Sequence, residues 1–238
     1  MLFSGGLDSA VLIAHALAPG PVGEGSAERK RVVPIYISVG FSWEAEERAM
    51  VQRLFAHPRF AGALRPVMLS FDMRDVFPAT HWAVRGEPPA YDTPDTDVYI
   101  DGRNVILLSK AAVFMGRHAA VASAHGSRAS ITLMLGSLAG NPFPDATPAF
   151  FGAMAHALSL GLGLPVAIEA PCASMSKADV IRRGIGLGVP LELTMSCMNP
   201  KDGQHCGRCS KCRERRDAFT AAGVADPTTY RAQTLRGL

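Results

Sequence analysis

Aromatic residues are scarce in this chain, at 7% of 238 positions, and the formal charge is nearly balanced, at +3. A basic stripe with interleaved aromatic rings, the footprint of nucleic-acid binding, is absent, which argues against such a partner. No apolar run reaches about 18 residues, so no membrane-spanning helix is expected. No basic region precedes an apolar core at the amino end, so no secretory signal is expected. Internal repeats and low-complexity tracts are missing. Cysteine is sparse, five residues in all, and four of them crowd into Cys197–Cys212. That clustering excludes a disulfide framework and fits a reducing, cytoplasmic setting.

Hydrophobic residues make up 48% of the chain, enough for one sizeable core or one domain with a small appendage. The densest signal is at the start. Met1-Leu2-Phe3 breaks into Ser4-Gly5-Gly6-Leu7-Asp8-Ser9, and an apolar helical pattern follows through Leu17. This reads as a buried strand, a glycine turn and a helix N-terminus. Glycine lets the backbone come close to a ligand. The free N–H groups and the positive end of the helix dipole then favour an anion such as phosphate. Ser4 and Ser9 add hydroxyl donors. Asp8 is unexpected beside an anion and points to a bound Mg²⁺ or to a contact with the helix N-terminus. The turn is neither a Walker loop nor a dinucleotide fingerprint, because Gly-Lys-Ser/Thr and G-x-G-x-x-G are both missing. Only three residues precede it, fewer than the about five of an ordinary strand, so the expectation is a natural start upstream or an unusually short first strand.

Further strands are expected at 32–38, 66–71, 130–135 and 166–170, and helices at 44–55, 104–124 and 148–160. Residues 19–28 and 140–147 read as loops, and 73–101 as a long loop with a short helix that lies over a site. Ser176 and Asp179 form a capping-box pattern opening a helix that ends near 184–188. Alternating strands and helices imply an α/β fold: a five-stranded parallel sheet with helices on both faces. Ligands bind such sheets beyond the carboxyl ends of the strands, where Ser4, Ser38, Gly136 and Pro171 fall. The expected division is an α/β domain over 1–193 and a cysteine-rich helical segment over 194–238.

That segment is spaced C-x8-C-x2-C-x2-C, through Cys197, Cys206, Cys209 and Cys212. Four thiolates meet the tetrahedral demand of Zn²⁺ and leave no open position, so the metal is expected to be structural. An iron–sulfur cluster is the rival reading. His205 is expected to be solvent-exposed or to sit behind the ligands, and Cys172 to be a small buried residue or a thiol at the strand edge with a catalytic role.

Ser-Gly-Gly-Leu-Asp-Ser resembles the pyrophosphate loop of the ATP-pyrophosphatases, which cleave ATP to AMP and pyrophosphate. Together with the Ser-Cys-x8-Cys-x2-Cys-x2-Cys run and Arg213-Glu214-Arg215, it resembles the 7-cyano-7-deazaguanine synthase family of queuosine biosynthesis. Tyr99-Ile100-Asp101-Gly102-Arg103-Asn104 looks like that family's Tyr-Val-Pro-Gly-Arg-Asn. Pro171 with Ser176-Lys177-Ala178-Asp179, and Thr194-Met195-Ser196-Cys197, look like two more of its segments. The resemblance implies a Rossmann-like fold of the adenine nucleotide α-hydrolase type. It implies ATP, Mg²⁺ and Zn²⁺ as cofactors, a deazapurine carboxylate and ammonia as small-molecule partners, and a homodimer.

It further implies a ligase reaction through an acyl adenylate and an amide to a nitrile. Ser4, Gly5, Gly6, Leu7, Asp8, Ser9, Ser38 and Gly136 would hold the nucleotide, and Phe143, Asp145 and Asn104 the substrate. Lys177, Arg103 and Asp8 would act in catalysis. Each has an ordinary alternative: a surface ion pair for Arg103, a solvated helix lysine for Lys177, loop capping for Asp145 and core packing for Phe143. The chain departs from the family at Gly40-Phe41-Ser42-Trp43, at Asp101 and across 136–147. These departures leave open a different carboxylate, or a tRNA base that is amidated or thiolated.

Overall fold

The computed structural model of the chain describes residues 1–18, 32–122 and 130–231. The loop expected at 19–28 and the end of the helix expected at 104–124 lie outside the described residues. Strand β1 (Ile35–Ser38) pairs in parallel with β2 (Val67–Ser70), and β3 (Ile131–Met134) with β4 (Val166–Glu169). The expectation of one five-stranded sheet is therefore corrected to four strands in two parallel pairs.

The physical reason is the shortness of the first segment. Met1–Phe3 makes one parallel bridge, Leu2 to Ile35, before the chain turns. Its backbone still joins the two pairs. The Leu2 N–H donates to the Met134 carbonyl at 2.8 Å, and the Phe3 N–H to the Ile35 carbonyl at 2.9 Å.

Helix α1 (Leu7–Ala16) is apolar all round and sits in the core, with Ala10 through Ala14 fully buried. Against it pack α6 (Lys177–Gly186) and α7 (Ser210–Ala222), through Val180, Ile181, Ala218 and Phe219. The opposite layer is α4 (Arg103–Ala122) and α5 (Pro148–Leu162), whose Leu108, Ala112 and Phe151 meet Ile35, Ile37, Ile131 and Leu133. Tyr36 faces the α1 side instead, as the two-residue period of a strand requires. The C-terminal segment thus shares its core with the α/β layer.

A separate core surrounds the four cysteines. It gathers Phe41, Trp43, Met50, Val98, Ile100, Met195 and Met198 from the ends of β1 and α2 (Glu44–Ala56), the 95–100 stretch and the C-terminal segment. The short helix within 73–101 is α3 (Trp82–Arg85). The Ser176–Asp179 capping box closes at both hydrogen bonds. No helix among the described residues is long and apolar enough to cross a membrane.

Candidate active site and metal centre

Residues 4–9 carry the turn into α1. Gly6 is the N-cap residue, and no side chain caps the helix, so its first N–H groups are left for a ligand. The turn is tightened from within: Ser9 Oγ donates to the Gly6 carbonyl at 2.9 Å, and the Gly6 N–H donates to Ser4 Oγ at 3.3 Å. Gly5 stands at φ +76°, and a Cβ there would come within 2.7 Å of Val51 Cγ2. Gly5→Ala is therefore expected to destabilise the fold by about 2 kcal/mol, for left-handed alanine and a displaced α2. The check is a melting temperature about 5 °C lower.

Three adjoining compartments of about 280, 250 and 210 Å³ meet at this turn. The largest runs from Ser4, Gly6, Leu7 and Asp8 past Trp43, Glu47 and Trp82 to Arg103, Asn104, Asp145 and the backbone around Cys197. The second follows the strand ends, lined by Ile35–Ile37, Leu135, Gly136 and Ser9. The third lies under the 138–143 loop. Asp8 and Phe143 line all three; Ser4, Gly6, Arg103 and Asn104 line the first two.

Charge is concentrated where the compartments meet. Lys177, at the first position of α6, lies 3.5 Å from Asp8 Oδ2 and hydrogen-bonds Glu214 of α7; Lys211 reaches Glu214 at 2.8 Å. Burial by itself would discharge the Lys177 amine, but the two carboxylates hold it protonated, above its ordinary range. For Glu214 too burial works against the charge, yet the two lysines win and set its carboxyl near pKa 2. At Asp8 burial wins and pushes the carboxyl up. Asp8 Oδ1 and Arg103 Nε are buried with no hydrogen-bond partner among the described residues. Such atoms at a cleft are free to meet water, an ion or a ligand. A free carboxylate oxygen of this kind is a ligand type that Mg²⁺ accepts.

Other residues named from the sequence take these places. The Asp145 carboxylate takes the Asn104 backbone N–H at 3.1 Å and its side-chain amide at 3.2 Å, which fixes the start of α4. Phe143 packs on Tyr99 with ring centroids 5.2 Å apart. Gly136 lines the cleft in close contact with α1: a Cβ there would stand 3.2 Å from Asp8 Cβ, tighter than ordinary packing. Gly5 is buried and lines none of the three compartments; its carbonyl accepts the Met195 N–H at 2.9 Å. Ser38 is not brought to them either, since its hydroxyl donates to Glu44. Cys172 is buried and away from these compartments.

Sequence reasoning missed Glu47, Lys211, Glu214 and the parallel stack of Trp43 on Trp82, with centroids 5.6 Å apart. Trp43 and Glu47 adjoin the departure at 40–43, which was the available signal.

The four sulfurs of Cys197, Cys206, Cys209 and Cys212 all lie within 4.8 Å of one another. The pairs 197–209, 206–212 and 209–212 stand at 4.0, 3.9 and 3.5 Å. A tetrahedral zinc with bonds of about 2.3 Å spaces its sulfurs about 3.8 Å apart, so the set fits one such ion. A multi-iron cluster would hold the sulfurs further apart. Backbone N–H groups of Asn199 and Cys206 donate to Cys197 Sγ at 3.3 and 3.2 Å, favouring the thiolate.

His205 is not solvent-exposed: it is 2% accessible, and burial lowers its pKa to about 3. Its neutral Nε2 accepts the Ser196 N–H at 3.1 Å behind the ligands. The knuckle is tied to the cleft. Asp202 and Gly203 N–H groups donate to Glu46 at 3.0 and 2.8 Å, and buried Arg215 donates to Thr194 and Ser196 at 2.9 and 3.1 Å.

Residues 80–223 match the family model described as queuosine biosynthesis protein QueC. A protein of Azoarcus sp. (strain BH72) named 7-cyano-7-deazaguanine synthase is 34% identical over 98% of this chain and 96% of its own. Proteins of that name from Anaeromyxobacter dehalogenans (strain 2CP-C) and Pseudomonas syringae pv. syringae (strain B728a) are 31% and 33% identical, each over 97% of this chain and 94% of its own. On the match of residues 80–223 and of relatives that align over nearly the whole chain, the chain belongs to the QueC family of queuosine biosynthesis.

Proposed function

We propose that this enzyme makes 7-cyano-7-deazaguanine from 7-carboxy-7-deazaguanine and ammonia, using two molecules of ATP. The substrate carboxylate attacks the α-phosphorus of the first ATP and pyrophosphate leaves. Ammonia adds to the acyl carbon, AMP departs with one carboxylate oxygen, and an amide results. The amide oxygen attacks the second ATP in the same way. Loss of that oxygen with the second AMP leaves the nitrile.

The observation that carries this reading is the uncapped start of α1 opening on a cleft that also holds Lys177 and the unpartnered Arg103 Nε. Helix N–H groups and the hydroxyls of Ser4 and Ser9 receive the growing charge of pyrophosphate. Lys177 places positive charge beside the α-phosphate, and Arg103 orients the carboxylate. Mg²⁺, held through Asp8, would offset polyphosphate charge. The rings of Phe143 and Trp43 bound the space for a flat heterocycle. Zn²⁺ on the four cysteines is structural, and reduced thiols suit the cytoplasm.

The test is incubation of purified protein with ATP, Mg²⁺, ammonia and 7-carboxy-7-deazaguanine labelled with heavy oxygen in its carboxylate. Mass spectrometry is expected to show the nitrile, with one label in each AMP. AMP formation only with some other acid, or no AMP at all, would overturn the assignment.

A further inference from the structure

Ammonia carries three protons on nitrogen and a nitrile carries none, so the reaction proposed above must strip three. Adenylation of an ionised carboxylate needs no base; the steps after it do. Most groups at the cleft cannot accept a proton. Lys177 is held protonated by Asp8 and Glu214; Glu214 is engaged by two lysines, and Asp8 faces Lys177 through Oδ2 and turns Oδ1 to the Mg²⁺ of the functional reading above. Asp145 spends both oxygens on Asn104. Cys197 belongs to the metal set, and no histidine lines the three compartments.

Glu47 is left. It projects from the first turns of α2 into the largest compartment, is 8% accessible, and has no cation within ion-pair distance among the described residues. Its Oε2 accepts the Tyr36 hydroxyl at 2.9 Å. Tyr36 in turn lines the second compartment, so this hydrogen bond spans the wall between the two.

We propose that Glu47 is the general base for the nitrogen steps. Its carboxylate takes one N–H proton from the tetrahedral ammonia adduct as the C–O bond to AMP breaks, with the bonding pair leaving on AMP. It then takes the two remaining protons, one at a time, from the adenylated amide nitrogen as the second C–O bond breaks and the triple bond forms. Each proton passes to solvent before the next.

The surroundings suit the task. Burial pushes the Glu47 carboxyl up, and nearby Glu44 adds to this. The Arg103 guanidinium, the Tyr36 hydroxyl and the Trp43 side chain pull it back, leaving it near pKa 7. A base is most effective with its pKa near the working pH.

The proposal rests on the functional reading above, and the experiment separates the two. Glu47→Gln keeps size and shape and removes the base. With acid and ATP but no ammonia, exchange of labelled pyrophosphate into ATP is expected to stay within about threefold of wild type. Amide formation with ammonia is expected to fall about 100-fold. At fixed free ammonia the wild-type amide rate is expected to climb with pH through about 7. In the variant that limb is expected to vanish. Tyr36→Phe keeps the carboxylate but removes a donor to its ionised form, so the limb is expected to move to higher pH. Parallel loss of exchange and amide formation in Glu47→Gln would overturn the proposal in favour of a structural or binding role. So would an unchanged amide rate, or a limb unmoved in Tyr36→Phe. Absence of exchange in the wild-type enzyme would overturn the functional reading, and the base with it.

Discussion

Replacing Cys209 with serine is expected to collapse the half of the molecule that closes the cleft and to abolish turnover. Cys209 and Cys212 are fully buried, and Cys197 and Cys206 nearly so. The apolar side chains around them form one cluster with the cysteines. A structural zinc site contributes about 10–16 kcal/mol of apparent binding free energy, comparable to the about 5–15 kcal/mol that holds a whole domain together. Serine supplies a harder, protonated oxygen in place of a thiolate, and leaves three buried thiols around an incomplete site. The damage then spreads along named contacts. Met195 holds the Gly5 carbonyl, Glu46 holds the knuckle loop, and Met195 through Met198 wall the largest compartment. The expected result is a melting temperature lower by about 10 °C or more, and pyrophosphate exchange lower by at least about 100-fold. Metal analysis of the wild type is expected to give one zinc per chain and no iron. Wild-type stability in Cys209→Ser would show that the cysteines hold nothing.

What the sequence disclosed, and what it hid, follows one physical division. The metal set and the 4–9 turn were legible because their chemistry is local: ligands two residues apart, glycines beside a helix start. Strands were legible from β-branched runs but came out shorter than drawn, as at 32–38, where Pro34 has no N–H to pair and β1 begins at Ile35. The first strand failed for the same local reason, having three residues where a ladder needs more. The hidden parts depend on convergence across the chain. Lys177 and Glu214 meet over 37 positions, and Trp43 stacks on Trp82. Glu47 looks in sequence like one more acidic residue on a solvated helix face. Only the fold shows that this face is buried beneath the turn, with Tyr36 against it. At Asp145 the fold shows the loop-capping contact, to Asn104 at the start of α4, on a residue that also lines the largest compartment.

Lys177→Met is expected to damage catalysis severely while leaving the molecule folded. The amine is the sole cation within 4.0 Å of Asp8 among the described residues, and one of two on Glu214. Removing it strands two carboxylates in a confined space. A fully buried pair broken in this way costs about 3–5 kcal/mol; here the side chains are 21–26% exposed, so the expected loss is nearer 2 kcal/mol. The pH dependence has a definite sign. Glu214 titrates near 2 in the folded protein, below its ordinary 4.5, so its stabilisation is present above about pH 4.5 and lost as pH falls towards 2. The variant lacks most of that stabilisation. Its deficit in unfolding free energy should therefore be largest at neutral pH and shrink as the solution is acidified through that window. Denaturant titrations at pH 7 and pH 4 measure the difference, and a deficit that grows on acidification would refute the ion-pair account. On the proposed mechanism catalysis should suffer more than stability, because charge on the α-phosphorus oxygens would develop beside a site that has lost its cation. A fall of about 1,000-fold in pyrophosphate exchange is expected, with Lys177→Arg recovering stability but only part of the rate, since a planar guanidinium cannot occupy the same point between two carboxylates and a phosphate.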